Sequence, residues 1–88
     1  MPLIFPEIDA MIDEFRDSYN RAEEKGRYIA SSTYLDSLSI VYANLARNKR
    51  LTHHARYAKK VITEMSPSYA AGYFQSKDQD SKKRTKSS

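Results

Sequence analysis

The sequence predicts an all-α fold, a small antiparallel helical bundle, and three observations predict it. Apolar residues recur at spacings of three and four in three separate stretches. No stretch alternates apolar and polar residues as a half-buried strand would. Gly26 and Pro67 punctuate the pattern where helices would have to stop. With 88 residues the chain makes one small domain.

The first helix is predicted over 6–25. Ile8, Met11, Ile12, Phe15, Tyr19 and Ala22 form one apolar stripe, with the acids, Arg16 and Arg21 on the other side. Pro6 suits the first helical position, where its missing N–H would be unpaired anyway. Glu7 and Asp9 follow at the positive end of the helix dipole. Lys25 closes the last turn, and Gly26 takes the left-handed position beyond it.

Residues 27–32 read as a loop or as an early start to the second helix. Thr33 is a good N-cap with Asp36 three residues on, so the second helix is predicted over 33–47. Leu35, Leu38, Val41, Tyr42 and Leu45 carry its stripe, and Arg47, Lys49 and Arg50 crowd its negative end. Thr52 is the next N-cap, opening a third helix over 53–65 with Ala55, Ala58, Val61, Ile62 and Met65 inward. Pro67 stops it, because the residue before a proline is pushed out of the helical region. Residues 68–74 then suit a short fourth helical turn folded back on the bundle. The bundle domain is set at 1–74. The tail 75–88 holds no apolar residue and is predicted to be a disordered, basic extension.

Composition excludes several classes. There is no Cys, so neither a disulfide nor a thiolate metal site staples the core. A core of this size supplies only a few kcal/mol, and self-association would add to it. No apolar run approaches the ~20 residues of a membrane span. The start, Met1-Pro2-Leu3-Ile4-Phe5-Pro6, lacks the basic region of a secretory signal, so the cytosol is the expected location. The net charge of +4 is uneven. Residues 1–26 carry seven acids against three bases, residues 27–74 seven bases against two acids, and the tail five bases against two acids. Such an electrically polar molecule steers a charged partner or a membrane surface.

Candidate chemistry is sparse. His53 and His54 are the only histidines, and adjacent helical positions point about 100° apart, a poor arrangement for one metal ion. They read as a polar first turn of the third helix. Asp13 and Asp17 lie one turn apart but beside Arg16 and Arg21 on a solvated face. With Gly26 and Gly72 the only glycines, no phosphate-cradling loop is present. Neither an enzyme nor a cofactor is expected. Binding chemistry is better represented. Arg47, Lys49, Arg50, Arg56, Lys59 and Lys60 surround the second corner, with Tyr57 among them, a composition suited to phosphates. Seven tyrosines are present. Tyr34, Tyr42 and Tyr57 are expected to straddle core and surface. Tyr69, Tyr73 and Phe74 cluster after the third helix, either as a lid on the bundle or as contact residues. The candidate partner-binding residues are therefore Tyr69, Tyr73, Phe74, Arg56, Lys59 and Lys60.

The stretch from Tyr42 to Thr52 (Tyr-Ala-Asn-Leu-Ala-Arg-Asn-Lys-Arg-Leu-Thr) resembles the long third helix, basic corner and last-helix cap of the immunity proteins for pediocin-like (class IIa) bacteriocins. Leu51-Thr52 matches the apolar-Thr pair that opens the family's last helix. The segment Tyr69–Phe74, followed by Lys77-Asp78, is similar to its aromatic C-terminal region. The likeness spans roughly half the chain. It implies an antiparallel four-helix bundle, whereas the spacing here gives three clear helices. It also implies a cytosolic protein at the inner membrane face, protecting its producer by recognising a mannose phosphotransferase permease already engaged by bacteriocin. The family's specificity lies in its C-terminal half, here Leu51 to Phe74. The tail's bases would add affinity for an anionic membrane surface. The alternative expectation is a small basic nucleic-acid-binding regulator.

Overall fold

The computed structural model describes residues 3–74. These are α1 (Pro6–Glu24), α2 (Tyr28–Arg47), a single 3₁₀ turn (Lys49–Leu51) and α3 (Thr52–Met65). A fourth helical segment, α4, occupies residues 67–74. No strand occurs among the described residues. The fold is the expected all-α bundle, with the fourth helix present. The tail 75–88, read as disordered, lies outside the described residues.

α1 begins where Pro6 places it and ends on Gly26, whose φ is +71°. The Gly26 N–H donates to Glu23 O at 3.1 Å and the Arg27 N–H to Ala22 O at 2.8 Å. This pair of bonds satisfies the last carbonyls of α1 and reverses the chain within three residues.

The second helix starts earlier than its predicted cap. Thr33 is not an N-cap, and α2 already runs from Tyr28. The Thr33 hydroxyl donates backward to Ile29 O at 2.9 Å, the bond by which a mid-helix Thr satisfies itself. Ser31 is buried and donates to Glu23 Oε2 at 2.6 Å, tying the first turn of α2 to the last turn of α1. With the turn closed at Gly26 and Ser31 partnered, nothing holds 28–32 out of the helix.

The third helix differs in a similar way. Thr52 is its first residue rather than its cap, and Leu51 stands at the cap position without a side-chain bond. Asn48 takes the capping role one turn earlier, its Oδ1 accepting the Arg50 N–H at 2.9 Å over the 3₁₀ turn. α3 stops at Met65, one residue before Ser66, as Pro67 requires. Pro67 then opens α4, and the Ser66 Oγ accepts the Tyr69 N–H at 3.3 Å as its cap.

α1, α2 and α3 each pack against the other two. The core joins Ile12, Leu35, Leu38, Leu45, Ala55, Ala58, Val61, Ile62 and Met65 with Ala70 of α4. The predicted stripes all contribute. Met11 is the exception: it belongs to the α1 stripe in sequence but lies exposed at its edge.

Leu38 is fully buried while Ile40, two residues on, is 63% exposed. Leu38→Ala is therefore expected to cost about 2–5 kcal/mol in urea unfolding, through lost burial and the cavity left behind. Ile40→Ala on the same helix should stay within about 0.5 kcal/mol of the parent.

Candidate functional site

Two groups of side chains on α3 carry the chemistry the molecule has. One faces α1. The other faces solvent and α4.

The α1-facing group begins with His54, which is fully buried. Its Nδ1 lies 2.8 Å from Asp9 Oδ1 on α1, and its Nε2 accepts the Phe5 N–H at 2.8 Å. An amide N–H can donate only to an unprotonated nitrogen, so Nε2 holds a lone pair and Nδ1 carries the proton that Asp9 accepts. The expected polar first turn holds for His53, which is exposed, but not for His54. The reason is the partner, an acid 45 residues away that no local spacing reveals. His53 Nε2 also lies 3.7 Å from Asp9 Oδ2. One donor atom from each of Asp9, His53 and His54 falls within 4.8 Å of the others. Ligation at His54 Nδ1 would move the ring proton to Nε2, against the Phe5 N–H. A metal-binding histidine normally donates its second ring N–H outward, so this imidazole is set for a structural role.

One turn further along α3, the Tyr57 hydroxyl donates to Asp13 Oδ1. That bond, with burial and the Asp13 charge, pushes Tyr57 above the usual tyrosine range. Burial, with the Glu23 charge adding to it, raises Tyr19 in the same direction. Arg16 lies 3.4 Å from Asp13, 3.7 Å from Asp17 and 3.8 Å from Glu64. These pairs are partly exposed, so screening leaves them little individual worth. The acids of α1 expected on a solvated face thus turn partly toward α3.

The solvent side of α3 carries His53, Arg56 and Lys60 in one stripe, all exposed, with Lys59 on its α4 flank. Arg47, Lys49, Arg50, Arg56 and Lys60 have no acidic partner among the described residues. The aromatic residues of α4 lie beside this stripe. Tyr69, Tyr73 and Phe74 are half-buried. Tyr69 stacks on Tyr73 at 5.8 Å, and Tyr42 of α2 meets the edges of Tyr73 at 6.4 Å and Phe74 at 5.1 Å. The Tyr69 hydroxyl donates to Ser39 Oγ at 3.0 Å, and Ser39 passes the bond to Asp36 O at 2.7 Å. Lys59 Nζ sits 4.9 Å over the Phe74 ring. Of the six candidate partner-binding residues, Lys59 therefore meets Phe74, Tyr69 meets Tyr73, and Tyr73 meets Phe74 edge-on. Arg56 and Lys60 stand free on the solvent side, and Tyr69 and Tyr73 close the bundle against α2.

Sequence reasoning missed the Asp9–His54–Phe5 bridge and the inward use of Asp13. The only local signal was the spacing of His54, four, seven and eleven residues ahead of Ala58, Val61 and Met65, which places it within the α3 stripe. No family model matches the chain, and no curated protein or solved structure matches it.

The Tyr57–Asp13 bond has a pH signature. With its folded pKa above the unfolded value, Tyr57 contributes stability in full below about pH 10, and this is lost as pH rises through the folded pKa. Tyr57→Phe should be less stable than the parent at neutral pH. The gap should narrow above about pH 10 in a thermal unfolding series.

Proposed function

We propose that this protein acts by binding rather than by catalysis, as an immunity protein of the pediocin-like type. The observation that carries the reading is the union of α3 and α4, where Lys59 of the basic stripe covers Phe74 of the aromatic segment. This is the C-terminal half in which the resemblance locates specificity. In this reading α4 is ordered by its own rings against Tyr42, and the exposed bases Arg56 and Lys60 beside it supply the contact. The partner is a membrane permease complex already engaged by bacteriocin, met from the cytosolic side. No helix among the described residues is long and apolar enough to cross a membrane, so the protein would reach such a partner from outside the bilayer.

A second reading, binding to nucleic acid, is favoured by one observation: five bases around α3 and its corner lack acidic partners among the described residues. Four phosphate contacts from that surface would lower affinity about a hundredfold between 50 and 200 mM salt.

Expression in a bacteriocin-sensitive strain decides between them. The parent chain should protect, and the double variant Arg56→Glu, Lys60→Glu should lose protection while its circular dichroism and unfolding midpoint stay close to the parent's. A parent that gives no protection, together with salt-sensitive retention on duplex DNA, would establish the second reading.

A further inference from the structure

We infer that the N-terminal strap, residues 3–5, and the corner beneath it form a docking surface for an anionic lipid bilayer. The strap precedes α1 and is not helical, yet its backbone is tied down at two points. The Leu3 N–H donates to Arg50 O at 2.7 Å, and the Phe5 N–H donates to His54 Nε2 at 2.8 Å. Both bonds draw main-chain donors inward; the Phe5 ring stacks on His54 at 6.2 Å, while the Ile4 side chain is left outside. Leu3 is 39% exposed, Ile4 61% and Phe5 36%. Ile4 in the open, flanked by the part-exposed edges of Leu3 and Phe5 at one end of a small, highly charged domain, marks a contact surface.

The charge around them names the partner. Leu3 is bonded to Arg50 itself, so the apolar tip sits on the 3₁₀ turn that bears Lys49 and Arg50, both exposed and without acidic partners among the described residues. Of the two carboxylates in the first turn of α1, Asp9 is turned to His54 and His53 and Glu7 is exposed, and neither pairs with Lys49 or Arg50. An apolar tip beside the unpaired bases Lys49 and Arg50 fits a membrane interface: the apolar side chains enter the headgroup and acyl boundary, and the bases meet anionic headgroups. Nucleic acid would employ the same bases but gives Leu3, Ile4 and Phe5 nothing to bury against. This rests on the reading above only in setting the protein beside a membrane.

Co-sedimentation of the full chain with vesicles tests it, comparing pure phosphatidylcholine with a mixture holding about 30% phosphatidylglycerol. The parent should pellet with the anionic vesicles and not with the neutral ones. Ile4→Ser, an exposed change that leaves the fold intact by circular dichroism, should lower partitioning roughly tenfold. Lys49→Gln with Arg50→Gln should lower it by at least about tenfold. Ile29→Ser removes the most exposed isoleucine, 88% exposed at the opposite end of the bundle, and should bind like the parent. The inference is overturned if the parent ignores anionic vesicles, or if Ile29→Ser abolishes binding while Ile4→Ser does not. A preference for duplex DNA over vesicles, indifferent to Ile4→Ser, overturns it equally. The assay needs neither bacteriocin nor receptor. Loss of protection in cells with vesicle binding intact would therefore sink the immunity reading alone.

Discussion

Three polar rungs between α1 and α3 set the register on which the rest of the bundle depends. Asp9 meets His54, Asp13 meets Tyr57, and Arg16 meets Glu64, each step moving forward along both helices. The two helices therefore run parallel, and α2 returns between them. The first rung is the strictest. An imidazole with no exposure must find partners for both nitrogens, and an unpaired one would cost about 1–3 kcal/mol. One partner comes from α1 and the other from the strap before it. Apolar burial in the core shared by Ile12, Val61 and Ile62 resists separation but is non-directional, so it discriminates weakly between registers one turn apart. Sliding α1 by a turn could bring another aspartate of the Asp9–Asp13–Asp17 series opposite His54, but it would take the non-helical Phe5 N–H away from His54 Nε2.

The same seam reshapes the charge of the molecule. The first 26 residues are strongly acidic in sequence, yet Asp9 and Asp13 turn to His54, Tyr57 and Arg16 rather than standing free on a solvated face. The bases of the second corner and the outer side of α3 have no such partners among the described residues. Folding thus turns two of these carboxylates toward the α1–α3 seam and leaves the bases on the outer side of α3. The field around α3 is more basic than the small net charge suggests, which favours steering toward an anionic surface or partner.

How much of this was legible follows from which interactions are local. The stripes of α1, α2 and α3 follow from three-four spacing, and Gly26 and Pro67 mark their ends because one backbone conformation at each is chemically forced. The starts of α2 and α3 were less legible. Thr33 and Thr52 have the chemistry of caps, but a Thr hydroxyl also bonds back to the preceding turn, and Thr33 does so. What decided the start of α2 was Ser31 reaching Glu23 across the turn, a contact between helices. His54 was the least legible residue of all, since its burial depends on Asp9 and on a main-chain N–H from a non-helical strap. The candidate binding residues were found by type, while the division among them is a product of packing. Tyr69 and Tyr73 turn to Tyr42 and Ser39, whereas Arg56 and Lys60 are left outside.

That division gives α3 its particular status. On one flank the polar rungs clamp it to α1. On the other, α4 folds back after Ser66 and Pro67 and lays Phe74 under Lys59, while Tyr42 of α2 packs against Phe74 and Tyr73. Its inner side is filled by Ala55, Ala58, Val61, Ile62 and Met65. A helix held on three sides presents its fourth with little freedom to adjust, so His53, Arg56 and Lys60 project from a backbone fixed by the core rather than from a mobile loop. Charges fixed in this way lose less backbone entropy when a partner arrives, and binding retains more of their attraction. The small core and the bare basic face are then two sides of one arrangement: the contacts that stabilise the bundle are those that leave the outer side of α3 rigid and uncovered.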